Sequence, residues 1–139
     1  VTQRQRAALA DRYQTDGMAG ASPQKLLLAM FDRLQRDLEA AVIAIPGNHI
    51  EVAHRALVNA QELVHELRLA LDADAWPGAN DLRLIYDHLL GLLIDANLNK
   101  SVDVIERCLG IVKPLHESWS EAHQRLQQGQ EPMPAGGVV

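Results

Sequence analysis

Four apolar stripes with a spacing of three and four residues, separated by short runs rich in Pro, Gly, Asn and Asp, constrain this chain to a set of packed helices. The first stripe is Leu27, Met30, Phe31, Leu34, Leu38, Ala41, Val42 and Ile45. Ser22 stands as its N-cap with Pro23 at the first helical position, and Pro46-Gly47-Asn48 closes it. The second runs from about Ile50 to Leu71 through Ala53, Ala56, Leu57, Ala60, Leu63, Val64 and Leu67, and stops before Trp76-Pro77-Gly78. Asn80 is the expected cap of the third, which turns Leu82, Ile85, Tyr86, Leu89, Leu93 and Ala96 inward and ends near Asn99. Ser101 opens the fourth, whose stripe is Val104, Ile105, Cys108, Ile111, Val112, Leu115, Trp119, Ala122 and Leu126.

Connections of a few residues make consecutive helices antiparallel neighbours, so the expected fold is an all-α, antiparallel up-down four-helix bundle. The bundle is expected over 22–126. Residues 1–21 are expected to form a mobile N-terminal cap, with a short helix through Ala7, Ala8 and Leu9, and 127–139 a flexible tail with little to bury. Pro114 lies inside the fourth stripe, where it removes one backbone hydrogen bond and crowds the carbonyl of Gly110. Because the stripe continues on both sides, a tolerated kink is expected there and not a break.

With 139 residues the chain buries one core, and with only 4% aromatic residues that core is built from Leu, Ile, Val and Ala. The formal charge of −5 argues against a nucleic-acid partner, which requires a basic surface. No run approaches the roughly 18 apolar residues of a membrane span, and the polar and small residues before Ala21 lack the apolar block of a signal peptide. A cytoplasmic location without membrane insertion is expected. Cys108, the sole cysteine, has apolar neighbours in its stripe and is read as a buried, inert thiol.

No motif for catalysis or for a cofactor is apparent. Two Glu-x-x-His pairs, Glu51 with His54 and Glu62 with His65, have the spacing that supplies half of a di-metal carboxylate site in some bundles. Here both lie on one helix, three turns apart, whereas such a site draws them from two helices. No metal ligand is assigned, and His49, His88, His116 and His123 are read as residues of solvated faces.

The third helix carries an anomaly. Beyond its inward stripe it has Leu84, Leu90, Ile94 and Leu98 on the flank and back, interrupted by Arg83, Asp87, Gly91 and Asp95. Either this helix is the most enclosed of the four, or it offers an apolar groove that another helix fills. Gly91 lowers helix propensity by about 1 kcal/mol relative to Ala and either admits a partner backbone or fits a tight contact with the N-terminal segment. Leu84, Leu90, Ile94, Asn97 and Leu98 are the candidate partner-binding residues; Asn97 either bonds a partner backbone or caps the helix.

The stretch from Tyr13-Gln14 through Ala21-Ser22-Pro23-Gln24-Lys25-Leu26 to Phe31-Asp32 resembles the opening of the flagellar secretion chaperone family FliS. Asn59-Ala60-Gln61-Glu62, Ile85-Tyr86-Asp87-His88, Asp95-Ala96-Asn97 and Glu117-Ser118-Trp119 follow in the order of that family, so the similarity spans about 13–125. Gly20, Arg33, Leu92-Leu93 and Pro114 depart from its pattern.

The resemblance implies a chaperone, not an enzyme, that needs no cofactor. It implies binding of the C-terminal region of flagellin in the cytoplasm, prevention of premature polymerisation, and delivery to the flagellar export gate. It also implies that the N-terminal segment, with Tyr13 and Met18 as plug residues, covers the groove until client displaces it. Two rival readings are a metal-binding or oxidoreductase bundle, and a structural homo-oligomer whose third helix pairs with that of a second copy to give a homodimer.

Overall fold

The computed structural model describes residues 22–72, 74 and 76–129. They form four helices: α1 (Pro23–Ala44), α2 (Ile50–Ala70), α3 (Ala79–Asn99) and α4 (Val102–Gln127). The cap helix and plug residues expected before Ala21, and the tail beyond Gly129, lie outside the described residues.

Local chemistry accounts for most of the ends. Ser22 Oγ accepts from the Lys25 amide at 3.2 Å and Pro23 occupies the first turn, where its missing N–H costs nothing. Ser101 Oγ accepts from Val104 N at 3.3 Å and opens α4. α1 stops before Pro46-Gly47-Asn48, with Asn48 at φ 60°, a left-handed conformation that Asn tolerates better than most residues. α3 ends in a left-handed cap as well, supplied by Lys100 at φ 49°.

The start of α3 differs from the expectation. The cap position is Gly78, not Asn80, because Ala79 is already fully buried and its amide donates to the Trp76 carbonyl at 3.1 Å. Tertiary burial thus pulls the helix start forward, and Asn80 instead accepts from Arg83 Nη2 at 2.8 Å within the first turn. α4 runs unbroken through Pro114, whose carbonyl accepts from Ser118 Oγ at 2.9 Å.

The helices close a ring in which α1 touches α2 and α4, and α3 touches the same two. Two cross-helix contacts set the register of α2 against α3. His54 meets Asn97, and Arg68 pairs with Asp87, so residues rising along α2 pair with residues falling along α3. Neighbours that run in opposite directions pair in this way.

All four stripes meet in one core. Phe31, Leu34, Leu38, Leu57, Val64, Tyr86, Leu89, Leu93, Ile105 and Val112 are completely enclosed. Each such large apolar side chain contributes about 1.5–3 kcal/mol by leaving water. Leu92 and Leu109, outside the expected stripes, are buried too, while Leu126, inside one, is 37% exposed where α4 nears its end. Among the described residues Asp37 is the buried acidic one, and Arg33 Nε reaches its Oδ1 at 3.4 Å.

Candidate functional site

The anomalous residues of α3 divide by their angle around the helix. Leu84, Ile94 and Leu98 are 56%, 50% and 80% exposed, so α3 is not the most enclosed helix. Leu90, nearer the core, is half-buried and packs against it. Gly91 is exposed between them, and among the described residues nothing lies within 4 Å of a Cβ built on it. The tight contact expected there was with the N-terminal segment, which lies outside the described residues.

Asn97 closes one end of this face. Its Oδ1 accepts from Lys100 Nζ at 2.7 Å and lies 3.2 Å from His54 Nδ1, tying the start of α2 to the end of α3. Asn97 does not serve as the helix cap, a position held by Lys100. The Arg68–Asp87 pair ties the two helices nearer the other end.

The α2 side of the face was missed in the sequence. Ile50 and Leu69 are 41% and 45% exposed on α2, and Val58 is half-buried. The register set by the two cross-helix contacts brings Leu69 level with Leu84 and Val58 level with Ile94. The signal was present as apolar residues outside the inward stripe of the second segment, but singly placed ones are common on any surface.

Away from this face Ile43 on α1, Val52 on α2 and Leu126 on α4 are exposed apolar residues as well. An open cleft of about 520 Å³ between α1 and α4 is lined by Gln35, Lys113, His116, Glu117 and Glu121 among others. His116 stacks on Phe31 at 6.3 Å and bonds Gln35 at 3.1 Å, a packing role; Ser120 also lines the cleft, and among the described residues no hydrogen bond joins it to His116. Both Glu-x-x-His pairs are exposed on α2, and Glu51 lies 3.9 Å from Arg55. Among the described residues no three His, Cys, Asp or Glu side chains gather where they could hold a metal ion. No helix among them is long and apolar enough to cross a membrane. Cys108 is fully enclosed, and burial pushes its thiol up to about 11, against the opposing pull of the Arg107 charge.

Fold and surface together define the class: an all-helical bundle with an exposed apolar face on its third helix and, among the described residues, no cluster that could hold a metal ion. The family described as flagellar protein FliS matches residues 5–126, and the chain belongs to that family. The flagellar secretion chaperone FliS of Bacillus subtilis (strain 168) is 24% identical over 112 residues, covering 81% of this chain and 84% of the relative. That of Salmonella typhimurium (strain LT2) is 26% identical over 103 residues, covering 73% and 76% respectively.

Proposed function

We propose that this protein is a cytoplasmic export chaperone that binds the C-terminal region of flagellin through the outer face of α3, prevents its premature polymerisation and aids its delivery to the flagellar export gate. The observation that carries this reading is the exposure of Leu84, Ile94 and Leu98 on one helix of a FliS-family bundle. A client segment that orders only when packed buries its apolar side there and is kept from its own kind. The function is binding and not catalysis, and no cofactor enters it.

In this reading the bundle of 22–126 is the working unit, with the up-down course that its short connections favour. Tyr13 and Met18 cover the face until client displaces them, and Leu90 and Asn97 line its inner edge.

Calorimetric titration of the protein with a peptide spanning about the last 40 residues of flagellin tests the proposal, with Ile94→Asp as the control. Binding with a negative heat-capacity change, lost in the variant, is the expected result. Absence of binding at high micromolar concentration, together with a concentration-dependent homodimer that Ile94→Asp dissociates, would leave a self-pairing bundle and overturn the chaperone reading.

A further inference from the structure

α4 is continuous in its backbone and divided in its burial. Its first three turns enclose Ile105, Cys108, Leu109 and Val112, whereas within 115–127 Ala122 is the one buried residue and Leu115, Trp119 and His123 are half-buried. The division falls at Pro114. Without an N–H, Pro114 leaves the Gly110 carbonyl no donor from the next turn, so the ladder loses a rung where the burial changes. Gly110 is exposed, with no described atom within 4 Å of where a Cβ would be, and adds backbone freedom at the same point. One turn on, Ser118 Oγ donates to the Pro114 carbonyl and competes there with the backbone donor.

Polar satisfaction divides in the same way. Ser101 caps the upstream half through the Val104 amide. Downstream, Trp119 Nε1 and His123 Nδ1 are buried without a partner, and so is Nε1 of Trp76, the residue on which Trp119 packs. A buried polar atom with no partner regains a hydrogen bond when water reaches it, which lowers the free energy needed to undock the element that carries it. The cleft between α1 and α4 runs beside this half: its α4 residues extend from Lys113 to Gln124. The seam between the downstream half and α1 is thus already open to solvent.

We infer that 115–127 undocks from the bundle as a unit, hinged at Gly110 and Pro114, while the upstream half of α4 stays in the core. The released piece is about three and a half turns long, too short to persist as an isolated helix in water, so undocking and melting occur together. Phe31, completely enclosed with His116 stacked on it, and Trp76 lose their cover in the opened state. The fold therefore carries a strap over Phe31, distinct from the apolar residues of α3, which need no movement to be reached.

Native-state hydrogen exchange on the full chain tests this. The amides of 118–125 are expected to share one protection factor, about a hundredfold below those of Ile105, Cys108 and Val112, with a step at Pro114. In Pro114→Ala, which restores the rung, the step is expected to give way to a gradient, because the helix can then unravel to any point. Thiol labelling gives an independent reading. Ala122→Cys in a Cys108→Ala background is expected to react about a hundredfold faster under native conditions than Cys108 of the wild type, each rate taken relative to that of the unfolded chain. Equal protection on the two sides of Pro114, a smooth decline toward Gln127 in the wild type, a step that survives Pro114→Ala, or equal thiol rates overturns the inference.

Discussion

Trp76, in the connection between α2 and α3, meets Trp119 of α4 edge to face, with ring centroids 6.5 Å apart and planes at 87°. The contact pins a connection that has no helix of its own to the end of α4. Both indole Nε1 atoms are buried without a hydrogen-bond partner, so the pair holds through area and ring geometry. Trp76→Ala is expected to cost about 2 kcal/mol, and Trp76→Phe appreciably less, since Phe keeps much of the contact and buries no orphan donor. Urea denaturation of the two variants checks this ordering.

Tyr86 gives a prediction of unusual sign. Its ring is fully enclosed, its hydroxyl has no partner, and burial raises its pKa well above the ordinary value. Removing a buried hydroxyl usually costs stability because a hydrogen bond goes with it, but here only desolvation is relieved. Tyr86→Phe is expected to stabilise the fold by about 1 kcal/mol, measured by chemical denaturation near neutral pH.

Leu93 and Ile94 are neighbours in sequence and opposites in environment, the first fully buried and the second half exposed. Leu93→Asp puts a charge into the core and is expected to cost more than about 4 kcal/mol, enough to unfold the chain. Ile94→Asp is expected to change stability by less than about 0.5 kcal/mol while abolishing client binding. Circular dichroism of the pair separates the roles of fold and face.

Cys108 makes stability depend on pH at the alkaline end. Its folded pKa of about 11 lies above the ordinary 9.0 of the unfolded thiol. Below pH 9 both states keep the proton and the full contribution is present; as pH rises toward 11 the unfolded thiol ionises first and stability falls. Tyr86 adds a loss of the same sign, beginning above pH 10. Cys108→Ala should therefore flatten the decline between pH 9 and 10, and the wild-type thiol should resist alkylation at pH 8 until denaturant is added.

The helices and most core positions were legible because a period of three and four residues reports one-sided burial directly. What escaped were features decided by neighbours distant in sequence. Asp37 occupies a position inside the first stripe, where its residue type argued against burial, and Arg33 a turn earlier lies 3.4 Å from its Oδ1. The cap of α3 followed the burial of Ala79, which no local motif encodes. For the face, Leu84, Ile94 and Leu98 stood out as apolar residues on the wrong side of a helix. Ile50 and Leu69 became part of it only once the register of α2 against α3 was known.

The ring of helix contacts has a consequence for the order in which the molecule is made. Three of its interfaces join successive helices, and only that between α1 and α4 joins segments distant in the chain. Topologies dominated by such local contacts fold quickly. During synthesis α1, α2 and α3 can pair as they emerge, leaving open the side that Ile105, Cys108 and Val112 will later fill. α4 is thus the closing element, and a nascent chain halted before Ser101 carries two apolar surfaces: the lasting one on the outside of α3 and a temporary one that only the final helix removes.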